Sequence, residues 1–196
     1  MKRKFLIALC ALLAVCLGIA AANVFGLEEP DYTVIESFDE WELRRYAPYL
    51  VAETVVDGDL KASGDGAFRI LAGYIFGDNE PQTKMAMTVP VISEPGQSGY
   101  TYQFVMERAY DLGTLPVPND ARVELKEIPE RLVAALRFSG RWREERIDDL
   151  TVGLLEALEQ QGYVASADPL LARYNPPITP WFLRRNEILV EVRPAN

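Results

Sequence analysis

Histidine is absent from the 196 residues of this chain, and its two cysteines, Cys10 and Cys16, both fall within the first apolar stretch. If that stretch is removed, the remaining domain carries neither residue. Disulfides, thiolate nucleophiles, Cys–His metal sites and histidine acid–base chemistry are then excluded together. Basic residues are scarce as well: 20 Lys and Arg stand against 29 Asp and Glu, a formal net charge of −9. Without Lys2, Arg3 and Lys4 the balance becomes about −12, which speaks against nucleic acid as a partner. The 13 prolines and 13 glycines are scattered, so no low-complexity linker divides the chain.

Catalytic motifs are equally thin. Gly96-Gln97-Ser98-Gly99 is not a nucleophile elbow, and no histidine could activate its serine. Asp57-Gly58-Asp59 hints at a calcium loop, but Lys61 and the lack of a closing glutamate make it a turn. No glycine-rich phosphate loop follows a strand, and no spacing pairs two carboxylates. Neither an enzyme nor a metal site is expected.

The N-terminal segment differs from the rest. Lys2, Arg3 and Lys4 precede an uncharged run from Phe5 to Ala22 that ends in three alanines. Residues 1–22 therefore read as a secretory signal cut near Ala22 or Asn23, which would place the protein in the periplasm or outside the cell. The same run, about eighteen residues, is long enough to serve as a membrane anchor over residues 5–22 if uncleaved. Val15 before Cys16 does not suit a lipobox. A short linker, 23–31, leads to a domain over 32–196.

Within that domain two stretches repeat. Trp41 to Ala52 aligns without gaps on Val123 to Ala134, with identities at Glu42/Glu124, Leu43/Leu125, Leu50/Leu132, Val51/Val133 and Ala52/Ala134. A helix-like stretch follows each, Asp65 to Phe76 and Asp148 to Gln161, and then a segment containing Thr-Pro or Thr-Val-Pro. Alternating strands come next, with Tyr100, Tyr102, Phe104 and Met106 sharing one face and Ile188, Val190 and Val192 another. Neither half can bury its strands alone. The pattern predicts an α+β fold, a distorted antiparallel β-barrel flanked by two helices with a pseudo-twofold repeat.

The helices differ. In the second, Asp149, Glu156 and Glu159 oppose Leu150, Leu154, Leu155 and Leu158, which suits a single apolar partner. In the first, Phe68, Leu71, Ala72 and Ile75 form one stripe and Ala67, Ile70 and Tyr74 an adjoining one. At 100° per residue they span roughly two thirds of the circumference, more than one sheet face covers. A flat apolar ligand, a second subunit or a loop of the same chain could supply the rest. The loop from Tyr174 to Phe182, stiffened by prolines, is the natural internal candidate.

Two motifs then stand out. Lys84-Met85-Ala86-Met87-Thr88-Val89-Pro90-Val91, preceded by Tyr74 and the turn Gly77 to Glu80, resembles the signature of the SOUL haem-binding family. Tyr174 to Ile188, with its Arg184-Arg185-Asn186-Glu187 core, is similar to that family's C-terminal motif. The resemblance spans Tyr32 to Val192 and implies a duplicated, distorted barrel. It also implies haem or a related tetrapyrrole as ligand, bound in a shallow apolar groove between the first helix and the proline-rich loop. Carried over by position, the helix wall is Phe68, Leu71, Ala72 and Ile75, and the loop wall is Tyr174, Pro177, Ile178, Pro180 and Trp181. Candidate propionate partners are Arg69, Arg184 and Arg185, with Lys84 behind them.

Burying one haem face removes a few hundred Å² from water, on the order of 5 kcal/mol before the costs of association. With no histidine, an axial ligand would have to be Met85, Met87, Met106, Tyr74 or Tyr174. Met85 and Met87 read as core on one face of a strand, so binding through apolar contact without a strong iron bond is expected. The fold also resembles effector-binding modules of bacterial regulators. An acidic module for amphipathic cations is therefore the alternative reading, ahead of a membrane-anchored interaction protein and a small-molecule hydrolase.

Overall fold

A computed structural model describes residues 26–195; the apolar run Phe5–Ala22 and both cysteines lie outside the described residues. The chain runs β1 (Tyr32–Ser37), β2 (Trp41–Tyr46), β3 (Tyr49–Asp57), α1 (Leu60–Ile75), β4 (Asn79–Glu80), β5 (Val91–Pro95), β6 (Gly99–Val105) and β7 (Val117–Pro118). It continues through β8 (Glu124–Ile128), β9 (Arg131–Phe138), α2 (Glu144–Gln160), β10 (Tyr163–Ala165), β11 (Leu170–Arg173) and β12 (Asn186–Pro194). The main sheet has the order β1-β2-β9-β12-β11-β5-β6-β3-β8, with β10 added on β12 and β4-β7 forming a separate pair. Every pairing is antiparallel. The distorted barrel is thus a curled α+β sheet whose ends, β1 and β8, do not pair with each other.

Exchanging β2 with β8, β3 with β9, β5 with β11 and β6 with β12 leaves the order from β2 to β8 unchanged. The exchange axis passes between β5 and β11, where only Leu171↔Ser93, Ala172↔Ile92 and Arg173↔Val91 are in register. On one side α1 packs on β3 and β6; on the other α2 packs on β10 and β12. Both helices therefore sit on the same face, with the seam between them.

Period-two alternation divides the strands between two cores. Trp41, Leu43, Tyr102, Phe104, Leu136, Ile188 and Val190 face the helices, where Leu71, Ile75, Leu154 and Leu158 meet them. Tyr46, Ile92, Val105, Val133, Ala135, Tyr174 and Leu189 form a smaller cluster on the opposite face, with Leu27 and Tyr32 against it. The segment read as a linker is fixed from Leu27 onward: Glu28 O accepts from Val89 N at 2.9 Å.

Three boundaries differ from the sequence reading. Helix α1 begins at Leu60, because the Asp59 carboxylate accepts from Lys61 N and Ala62 N and caps it. Gly64 and Gly66, poor helix formers, had hidden that first turn. Helix α2 begins at Glu144, with Glu144 and Glu145 at its positive end. The stretch Lys84–Thr88 is not a strand. Met85 N bonds to Ile75 O at the end of α1 and Ala86 N to the Glu107 carboxylate, so no ladder forms, although Met85 is buried as expected.

Beneath the second core lies a buried charge cluster. The Glu187 carboxylate, with no exposed surface, accepts from Arg44 Nη1 at 2.7 Å, Tyr174 Oη at 2.9 Å and Arg185 Nε at 3.0 Å. Arg185 also reaches Glu29, tying the segment before β1 to β12. Burial alone would raise the Glu187 pKa, but the hydrogen bonds and charges of Arg44 and Arg185 hold it below its ordinary value of 4.5. A depressed carboxyl stabilises the fold fully above that ordinary value and ceases to do so as pH falls through the folded value. Glu187→Gln, which takes a carboxylate from the buried Arg44 and the partly buried Arg185, should therefore lose about 3 kcal/mol at pH 7. Chemical denaturation at pH 7 and at pH 3 checks this, the gap from wild type narrowing at the lower pH.

Candidate functional site

Most of the wide apolar stripe on α1 is covered by the chain itself. Leu71 and Ile75 are 0% and 2% exposed, and Ala72 is also buried. They are core residues, not a groove wall. Part of the cover is the segment around Leu115–Pro118: Tyr74 Oη donates to Pro116 O at 2.8 Å, and β7 pairs with β4 just beyond the helix. Of the four expected wall residues only Phe68 stands in solvent, at 48% exposure, its ring edge-on to Phe104 with centroids 5.4 Å apart.

The C-terminal loop divides similarly. Tyr174 is buried on the opposite face of the sheet, its hydroxyl bonded to Glu187 and the Arg185 guanidinium 3.6 Å above its ring. It therefore cannot line a groove beside α1. Pro177, Ile178, Pro180 and Trp181 are all exposed, as are Phe182 and Leu183 in the short 3-10 turn Trp181–Leu183. Ile178 is 86% exposed and Trp181 50%.

Two of the three candidate propionate arginines are engaged elsewhere. Arg185 is bound to Glu187 and Glu29. Arg184 donates to Thr179 O at 2.8 Å and Pro177 O at 2.6 Å, with its guanidinium 4.7 Å from the Trp142 ring centre. It staples the proline loop to Trp142. Arg69 and Lys84 are exposed.

The register of the sheet shows how these parts relate. One row across the helix-facing side runs Phe138, Asn186, Arg173, Val91, Phe104 and Ala52. Adjacent residues in such a row lie about 5 Å apart. Phe68 rests on Phe104, on one side of the seam. On the other side Trp142 Nε1 donates to Asn186 Oδ1 at 2.7 Å, and Gly140 N bonds to Trp181 O, bringing the loop to the start of α2. Between them lie Arg173 and Val91, both partly accessible. This strip of the helix-facing side, the seam furrow, has Phe68 over one half, Trp142 over the other and the Arg173 guanidinium between Trp142 and Tyr102.

Arg173, Trp142 and Tyr102 escaped the sequence reading as site residues. Trp142 lies in an arginine- and glutamate-rich stretch with no periodicity, and Arg173 looks like an ordinary polar position of an alternating strand. Only cross-strand register brings them together.

Two surface depressions lie elsewhere. One, of about 410 Å³, is lined by Gly26–Tyr32 and Arg108. The other, of about 260 Å³, is bordered by Glu28, Asp31, Glu107, Asp111 and Glu127, with Arg108 paired to the first two, around Leu50, Met106 and Leu112. Neither includes a residue of the furrow. Both are acidic at the rim, which suits a tetrapyrrole dicarboxylate poorly. Among the described residues no group of three or more acidic, histidine or cysteine side chains could hold a metal ion, and no helix is long and apolar enough to cross a membrane.

Comparison with known proteins adds the following. The model of the SOUL heme-binding protein family matches residues 27–191. Heme-binding protein 2 of Mus musculus is 27% identical over 198 residues, covering 89% of this chain and 95% of the mouse protein. Among solved structures, the C-terminal domain of EcmrR superposes with a TM-score of 0.56 at 14% identity, covering 83% of this chain and 98% of that domain. A hydrolase from Listeria innocua superposes at 0.55 with 10% identity, covering 81% and 94%. At those identities the two structures speak to fold alone.

Arg184→Ala should free the loop with little effect on the cores. A loss of about 2 kcal/mol in denaturant unfolding is expected, with faster amide exchange confined to 176–183.

Proposed function

This chain belongs to the SOUL haem-binding family, and from that premise we propose that it binds haem or a related tetrapyrrole along the seam furrow, by apolar contact and without histidine ligation. The observation that carries the reading is the exposure of Phe68 on one side of the furrow and of Ile178, Trp181, Phe182 and Leu183 on the other. Large apolar groups left in water beside one seam are what a flat apolar plate would cover. In this reading Leu71, Ala72 and Ile75 support Phe68 from below, and Tyr174 anchors the root of the loop.

Of the candidate axial ligands, Met85 and Met106 are buried, Met87 is partly buried against the same core, and Tyr174 donates to Glu187. Tyr74 donates to Pro116 O, and burial pushes its hydroxyl up to about 12, away from the tyrosinate that iron would need. Iron-free porphyrin should therefore bind within about tenfold of haem. The family is one of haem-binding proteins, not a known enzyme family, and the role proposed is carriage rather than catalysis. Export, or anchoring through residues 5–22, belongs to the same proposal. The mass of the protein recovered from cells distinguishes the two, cleavage near Ala22 marking export.

The acidic depression of about 260 Å³, with Leu50, Met106 and Leu112 inside it, favours a second reading, an amphipathic cation as ligand. Titration separates them. Micromolar haem should shift the Soret band and quench the fluorescence of Trp142 and Trp181. Phe68→Asp and Trp181→Asp should each weaken binding at least about tenfold while leaving the unfolding midpoint nearly unchanged, since both side chains are half exposed. Absence of both spectral changes, with binding of a hydrophobic quaternary ammonium instead, would reject the tetrapyrrole.

A further inference from the structure

Among the described residues Arg173, at the end of β11 beside the seam, has no counter-ion. Its guanidinium lies 5.1 Å from the Trp142 ring centre and 5.6 Å from that of Tyr102. Its Nε is buried with no hydrogen-bond partner. The other sunken arginines each reach a carboxylate: Arg44 and Arg185 reach Glu187, and Arg131, whose Nε likewise lacks a partner, reaches Glu191. Arg173 reaches no carboxylate among the described residues. An aromatic face attracts a cation but does not neutralise it or accept its in-plane N–H groups. Burial pulls the Arg173 pKa down, the direction of a desolvated charge that lacks an anion. Guanidinium does not escape by losing its proton, so the charge persists. In a protein with 29 acidic residues, the absence of one at this point singles the position out.

We propose that Arg173 is the seat for a carboxylate of the bound ligand, its guanidinium held between Tyr102 and Trp142 at the seam between the two helices. The residue as a whole is partly accessible, so an anion arriving along the furrow can meet it. Tyr102 is in turn fixed, its hydroxyl bonded to Leu60 O at 2.9 Å and within 2.9 Å of Ser63 Oγ at the start of α1. Trp142 is fixed by Asn186. The planar fork is thus preoriented from both halves of the fold, which suits a carboxylate better than a point charge would. This inference rests on the reading that the ligand occupies the furrow; it adds that the ligand enters with an acid group leading, and it replaces Arg184 and Arg185 as the anion partner.

The test compares mesoporphyrin IX with its dimethyl ester, by fluorescence quenching of the full chain, in wild type, Arg173→Met and Arg173→Lys. Wild type should prefer the free acid by about tenfold or more. Arg173→Met should bind acid and ester alike, at the ester's affinity, and Arg173→Lys should recover only part of the preference. Equal binding of acid and ester by wild type, or an undiminished preference in Arg173→Met, overturns the proposal while leaving tetrapyrrole binding intact. If neither porphyrin binds, the tetrapyrrole reading fails, and thermal shifts with 1-naphthoate and 1-naphthamide decide the seat alone. Stabilisation of wild type by the acid only, lost in Arg173→Met, upholds it; no response to the acid overturns it too. Should Arg173→Met not fold, the acid–ester comparison in wild type and Arg173→Lys still decides.

Discussion

Three residue pairs between β5 and β11 join the two halves of the sheet, and the rest of the molecule is arranged around that short contact. Each half carries one helix on the same face, and neither half could cover its own strands. Pairing at the seam makes one continuous sheet with apolar side chains on both faces, which is why β12 is buried along most of its length. It also sets the helices apart. Each helix packs on its own half, α1 on β3 and β6 and α2 on β10 and β12, and the furrow follows the seam between those halves.

The C-terminal motif shows how alternation spends four consecutive polar residues on two different tasks. Arg185 and Glu187 point to the second core and form the buried charge cluster with Arg44 and Tyr174. Arg184 and Asn186 belong to the helix-facing side, where both meet Trp142. The motif therefore ties β12 to Arg44 of β2 and holds the proline loop against Trp142. Its arginines act through positioning, and the unpaired cation lies just outside the motif, at the end of β11.

Charge explains why the furrow and the acidic depressions suit different ligands. The protein is strongly acidic, and its depressions near Glu28–Asp31 follow that character. The furrow departs from it, with Arg173 and Arg184 on Trp142. A carboxylate on a flat apolar ligand would meet a cation there, an arrangement that favours orientation over raw affinity.

Periodicity alone determined the antiparallel α+β architecture and the inward faces of β6 and β12, and the resemblance of two motifs pointed to the family. A period of two or 3.6 is a property of local chain geometry and can be read along the sequence. The starts of both helices were not legible in that way, since capping by Asp59 and packing over Gly64 outweigh local propensity. Nor was the covering of Tyr74, which depends on a segment some forty residues away at Leu115–Pro118. The sites of Tyr174, Arg184 and Arg185, and the isolation of Arg173 between Tyr102 and Trp142, were decided by cross-strand register. Which charges find partners is a matter of distances between remote strands, and only the folded sheet sets those.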